Sequence, residues 1–225
     1  DAPFADPTSL FIQPDHYVTR LLHAGGVSLD RLGVSEGPLP EDRAREAWRL
    51  LCRHWHLLRG TPVRYWFDSE LVEIFGVQER PDEQNADALY DQIADRLRQP
   101  SHRPRALLQR FGIEFLATTD DPADDLSVHA ALRDEPGVAT TVVPTFRPDR
   151  YLEIGRPGWG ETVKGLGADV GDYAGYIAAI EERRRYFVAR GAVSADHGHA
   201  DAGTEPLERH DADRIYRAAL GGHVT

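Results

Sequence analysis

The 225-residue chain has no methionine, a single cysteine and no long apolar run. With only Cys52, an internal disulfide is excluded, and the lone thiol fits a reducing, cytoplasmic compartment. No stretch approaches the roughly 18 apolar residues that a membrane-crossing helix needs. The start of the chain lacks the basic-then-apolar order of a secretory signal. Cationic residues are also scarce: 26 Lys and Arg stand against 37 Asp and Glu, for a formal charge of -11. That balance argues against nonspecific nucleic-acid binding, which needs a cationic face to neutralise phosphates. It leaves room for a small anionic ligand, because one arginine can dominate a pocket. The missing methionine extends to position 1, where Asp1 stands, and the chain runs out at Gly221-Gly222-His223-Val224-Thr225. The two ends read either as trimming or as cuts through a larger protein, and the second reading is preferred.

At 41% hydrophobic residues, the composition supports one large domain or two small ones. The first half reads as helical. Apolar positions at helical spacing predict helices over Asp15–His23, Glu41–Leu58, Trp66–Phe75, Ala86–Leu97 and Arg103–Phe111, with Gly25, Gly60, Gly76 and Gly112 as stops. From Ile113 the texture changes. Strand-like runs at Ile113–Thr119, Val138–Thr145 and Ala192–His197 alternate with helices predicted at Asp124–Arg133, Tyr173–Arg190 and Asp211–Leu220. Such alternation predicts parallel strands joined by crossover helices, an α/β fold. Three strands cannot close a barrel, which takes about eight. No glycine-rich phosphate loop follows the first strand, since Thr118 to Pro122 holds no glycine. The expected division is 1–112, helical, and 113–225, strand-containing.

Each strand-like run ends in polar residues, where a parallel fold gathers its reacting groups. The clusters are Thr118-Thr119-Asp120-Asp121-Pro122, Arg147 with Asp149, and Asp196-His197-Gly198-His199. Asp120, nearest the strand end, is the functional candidate. Asp121 divides evenly between function and helix capping, and Asp124 and Asp125 are read as caps. His129 alone reads as a surface or packed histidine. Pro148 restricts Arg147 to extended backbone, so its guanidinium is stiffly presented and could clamp a carboxylate with two parallel hydrogen bonds. A salt bridge to Asp149 or Asp120 is the competing reading. His197 and His199 could grip a metal if they lay on a strand, but a solvated turn is as good a reading. His54 and His56, two apart in a helix, do not share a face. Asp15-His16-Tyr17 reads by default as a helix cap followed by a core tyrosine, although histidine and tyrosine can both move protons.

Taken together and in order, Asp15-His16-Tyr17, Thr118-Thr119-Asp120-Asp121-Pro122 with His129, Phe146-Arg147-Pro148-Asp149 and Ser194-Ala195-Asp196-His197 resemble the uronate (glucuronate) isomerases of the amidohydrolase superfamily. Gly60-x-Pro62 followed by Trp66 and Glu70-Leu71 resembles the same family's helical insertion. The resemblance implies a partial, TIM-like (β/α)8 barrel, with 1–112 as the helical insertion region and 113–225 as about three strand-helix units. It implies aldose-ketose isomerisation of a hexuronate by proton transfer between C2 and C1: D-glucuronate to D-fructuronate, D-galacturonate to D-tagaturonate. On matching motifs, Tyr17 and His16 are the implied catalytic residues. Arg147, Asp120 and His197 are the implied substrate-binding residues, with Arg147 on the sugar-acid carboxylate.

The resemblance also implies a divalent metal, taken as zinc. The family's His-x-His pair would lie before Asp1 and its late-strand aspartate beyond Thr225, so no metal ligand is expected within the chain, which is expected to be inactive alone. His197-Gly198-His199 falls on a later strand and is not that pair. Where relatives often carry histidine between Trp66 and Glu70, this chain has Asp68. The expected partner is a small sugar acid, with no nucleic acid and no membrane; a homo-oligomer is compatible. Two other readings stay open: a metal-dependent hydrolase of the same superfamily, and a noncatalytic sugar-acid binder that uses Arg147.

Overall fold

The computed structural model describes residues 2–34, 37–167, 169–198 and 205–223. The chain separates into two compact units, Asp1–Gly112 and Ile113–Thr225.

The first unit is helical. It contains α1 (Pro7–Phe11), α2 (His16–Ala24), α3 (Glu41–Arg53), α4 (Pro62–Glu73), α5 (Ala86–Leu97) and α6 (Pro104–Arg110). The starts follow capping chemistry. Asp6 and Ser9 form a reciprocal capping box around Pro7, and Asp15 accepts from the amides of Tyr17 and Val18. Thr61 caps α4, with Pro62 at its first position. Thr61-Pro62 is therefore a start signal, which places the helix four residues before the Trp66 expected from periodicity. The predicted Glu41–Leu58 helix breaks at His54 and continues as a 3-10 turn, Trp55–Leu58. A three-residue period keeps both Trp55 and Leu58 buried. Phe11 gathers the core, its ring centroid 5.2 Å from Phe67, 5.6 Å from Phe75 and 6.1 Å from Trp48. The Trp48 indole donates to the Ala86 carbonyl at 2.9 Å, tying α3 to the start of α5.

The second unit is mixed. It contains β1 (Phe115–Ala117), α7 (Ser127–Asp134), β2 (Thr141–Val143), α8 (Asp149–Leu152), α9 (Trp159–Lys164), α10 (Tyr173–Val188) and α11 (Arg209–Leu220). β1 and β2 pair in parallel, Phe115 opposite Thr141 and Ala117 opposite Val143. The ladder runs on past both strands. Thr118 N–H donates to Val143 O, Thr145 to Thr118 O, Asp120 to Thr145 O and Arg147 to Asp120 O, all at 3.0–3.1 Å. The third predicted strand contracts to one parallel bridge, Phe146 with Ala195, flanked by Phe146 N–H to Ser194 O and Asp196 N–H to Phe146 O. The chain is thus helix-rich α/β with a small parallel sheet. β1 is exposed along its length, with Phe115 at 51% and Leu116 at 39%.

The helix expected from Asp124 begins at Ser127 instead. Leu126 holds a left-handed backbone, φ 56°, which costs a branched residue energy. Its side chain is buried with Phe146 and Phe187, and that burial offsets the strain. The aspartates before it close turns: Asp124 Oδ1 accepts from Leu126 N–H and Asp125 Oδ1 from Ser127 N–H. Farther along, Tyr151, Trp159, Tyr176 and Tyr216 form an aromatic core. Three of the polar tips are satisfied by backbone: Trp159 and Tyr176 donate to Tyr151 O, and Tyr216 to Val170 O at 2.6 Å. The short helices α1, α8 and α9 were not expected, being too brief to show a period.

Candidate functional site

The parallel ladder places Thr118, Asp120, Thr145, Arg147, Ser194 and Asp196 at one end of three adjacent segments. Two groups of side chains form there. The inner group centres on Thr118. Its hydroxyl donates to Asp120 Oδ2 at 2.7 Å and lies 2.8 Å from His129 Nε2. One hydroxyl proton cannot serve both partners, so His129 must carry its proton on Nε2 and donate to Thr118. Asp120 Oδ2 also accepts from Thr145 N–H at 3.2 Å, and its Oδ1 lies 3.7 Å from His129 Nε2. Thr145 and Ser194 hydroxyls are 3.0 Å apart. His129 is buried, and its Nδ1 has no partner. The packed reading of this histidine is the correct one.

The outer group centres on Arg147. Its Nε donates to Asp149 Oδ2 at 3.1 Å, and Nη1 lies 3.5 Å from Asp196 Oδ2. Asp149 Oδ1 accepts from Gly198 N–H at 2.7 Å, which holds the segment carrying His197 beside the arginine. Burial pushes the Asp149 carboxyl up, but the Gly198 amide and the Arg147 guanidinium outweigh it and leave the group below the usual aspartate value. Arg147 thus takes the salt bridge to Asp149 and contacts Asp120 through backbone alone. His197 is exposed, its Nδ1 3.3 Å from Gly198 O; His199 lies outside the described residues. Asp121 is an anchor: it accepts from Tyr151 Oη at 2.8 Å and Arg150 Nη1 at 2.9 Å, mooring α8. Burial, then the hydrogen bond to Asp121, pushes the Tyr151 phenol up to about 12.

His16 and Tyr17 belong to the first unit, at the start of α2. Asp15 is the cap that was expected. Tyr17 is no core residue: it is 53% exposed, with its ring 4.2 Å from that of His16. Asp149 was named from sequence with Arg147, whereas Thr145 and Ser194 were not singled out as site residues. Their signal was the same as for Thr118: polar residues ending an apolar run.

Among the described residues, no group of three or more His, Cys, Asp or Glu side chains is arranged to hold a metal ion. Asp120 with His129 supplies only two, and the His129 Nε2 proton is committed to Thr118. These residues do not fit a metal centre. Also among them, no helix is long and apolar enough to cross a membrane.

Comparison with known proteins places this geometry in context. The family model for glucuronate isomerase matches residues 1–225. A uronate isomerase of Cutibacterium acnes is 48% identical over 229 residues, covering 100% of this chain and 49% of its own length. One from Brucella suis is 42% identical, covering 99% and 48%. The crystal structure of glucuronate isomerase from Caulobacter crescentus superposes with a TM-score of 0.89 at 38% identity, over 100% of this chain and 48% of that one. That of uronate isomerase from Thermotoga maritima gives 0.84 at 26% identity, over 99% and 48%. The chain spans about half the length of the curated relatives it matches. With a family model matched along the whole chain and polar groups gathered at the ends of parallel segments, the chain belongs to the glucuronate isomerase family.

Proposed function

We propose that the protein containing this chain is a uronate isomerase that interconverts D-glucuronate with D-fructuronate and D-galacturonate with D-tagaturonate. The observation that carries this reading is the family match over residues 1–225, with identities of 42–48% to uronate isomerases. In this reading the second unit is part of a (β/α)8 barrel and the first its helical insertion. The parallel ladder and the exposed β1 support it, since a barrel strand needs a neighbour on both sides.

The reaction moves a proton from C2 to C1 while the carbonyl passes from C1 to C2 through an enediol. Tyr17 and His16, exposed side by side, are assigned to the reacting carbons and their oxygens. Arg147 is assigned to the hexuronate carboxylate. Asp149 orders its Nε edge, while the longer contact to exposed Asp196 is the one a substrate carboxylate displaces. Asp120 and His197 are assigned to sugar hydroxyls. The family's divalent metal, taken as zinc, would be held by residues other than those described. Because the chain spans about half the length of its relatives, the 225 residues alone should give no turnover. The ligand is a small sugar acid.

The test is conversion of glucuronate to fructuronate by the full-length protein, followed as ketose formed. Arg147→Ala should raise KM by about 10- to 100-fold, the worth of a charge-assisted hydrogen-bond pair. No turnover of any hexuronate by the wild-type protein would sink the reading.

A further inference from the structure

The first unit holds a ring contact that its core does not explain. Of the chain's four tryptophans, Trp48, Trp55 and Trp159 are 1–3% exposed, but Trp66 is 45% exposed. Its place on α4 is nevertheless firm. Val63 and Phe67 on the same helix are buried, and Phe67 stacks on Trp55 at 5.6 Å. Trp66 therefore presents its indole from a fixed backbone to half-open surface. The ring it meets is Tyr17, edge to face at 74° with centroids 6.3 Å apart.

Tyr17 is constrained three ways. Asp15 Oδ1 accepts its amide at 2.8 Å, which sets the first turn of α2. The His16 ring lies at 4.2 Å and 34°, and the Trp66 ring lies edge-on. An exposed tyrosine at a helix start would otherwise sample several rotamers. Glu70 lies one turn after Trp66, on the same face of α4, and burial, then the Asp15 carboxylate, raises its carboxyl above the usual glutamate value.

We propose that Trp66 is a positioning residue for Tyr17: its indole fixes the tyrosine ring so that the phenol oxygen is held at one place for proton transfer on the sugar acid. This rests on the assignment of Tyr17 to the isomerase reaction. Trp66 itself touches no reacting atom. Its removal should lower turnover without weakening substrate binding, and any flat ring at position 66 should serve.

Two measurements on the full-length protein test this. In the first, the protein is labelled with 3-fluorotyrosine, and the Tyr17 19F resonance is identified by its loss in Tyr17→Phe. Trp66→Ala should shift and broaden that resonance, and Trp66→Phe should largely restore it. In the second, Trp66→Ala should lower kcat about three- to tenfold, the range set by an aromatic pair, with KM within about twofold. Trp66→Phe should recover kcat, and in a Tyr17→Phe background Trp66→Ala should add less than about twofold. A Tyr17 resonance unmoved by Trp66→Ala overturns the proposal, as does an equal fall in kcat with or without the Tyr17 hydroxyl. A wild-type protein that turns over no hexuronate, yet shows the shifted resonance, removes the isomerase assignment while keeping the ring contact. The two readings therefore fail separately.

Discussion

Replacing Thr118 with valine keeps the shape of the side chain and removes one oxygen. That oxygen donates to Asp120 Oδ2 at 2.7 Å and accepts from His129 Nε2 at 2.8 Å. Both partners are well covered, with side-chain exposures of 12% and 8%. In Thr118→Val, His129 loses its hydrogen bond and keeps only the 3.7 Å approach of Nε2 to Asp120 Oδ1, because Nδ1 has no partner. A buried donor left unsatisfied costs about 1–3 kcal/mol, and a hydrogen bond to a charged group is worth about 1.5–3 kcal/mol. Asp120 Oδ2 keeps the Thr145 amide at 3.2 Å, so the second figure applies at its lower end. The expected loss is about 2.5–4.5 kcal/mol.

It should appear where the network is built, as faster hydrogen exchange at the ladder amides of Thr118, Asp120 and Thr145. At about 1.4 kcal/mol per factor of ten, the increase is about 60- to 1,600-fold. The double variant Thr118→Val, His129→Leu should recover part of the loss, because it removes the stranded donor along with its acceptor. An increase below about threefold, or strictly additive losses, would refute the network as described.

Three further outcomes follow from the geometry. Burial, with Asp15 nearby, holds the Glu70 carboxyl above the ordinary 4.5; a raised folded value means stability that is full at low pH and lost as pH rises through it. Glu70→Gln should therefore raise the melting temperature at neutral pH, and the gain should vanish below about pH 4; a gain that persists there argues against this cause. At Gly160, an added Cβ would sit 2.7 Å from the Leu220 carbonyl oxygen. Gly160→Ala should destabilise the second unit by about 1–3 kcal/mol in urea melts, although alanine is the better helix former; a stabilised variant would show that α9 and α11 do not approach so closely. Cys52 is buried, and burial pushes its thiol up to about 12, so the native protein should resist iodoacetamide at neutral pH and react once unfolded; rapid native alkylation would contradict that packing.

Much of the local structure was legible in the chain. Leu89, Ile93 and Leu97 recur every four residues, and α5 spans Ala86–Leu97 with all three buried. Asp15 reads as a helix cap and is one, accepting from the amides of Tyr17 and Val18; Asp124 and Asp125, read the same way, instead close turns ahead of α7, whose first turn has no side-chain cap. At Thr61-Pro62, directly after the Gly60 stop, the start signal sets the helix earlier than its apolar spacing showed. Strand lengths were overestimated. A β-branched run reveals a preference for extended backbone, whereas regular pairing depends on a neighbour in register. Beyond Val143 the bonding continues only as isolated parallel bridges, Asp120 with Phe146 and Phe146 with Ala195.

The site divides the same way. By itself the sequence determined that polar residues end three extended runs, that Arg147 sits on a backbone stiffened by Pro148, and that His16 and Tyr17 follow a capping aspartate. Those are local facts, set by neighbours in the chain. Only the tertiary structure decided which carboxylates Arg147 meets, that His129 turns inward to Thr118, and that Trp66 reaches Tyr17. Each of these contacts joins residues far apart in sequence or depends on a side-chain direction, and both are fixed by packing, which no local pattern records.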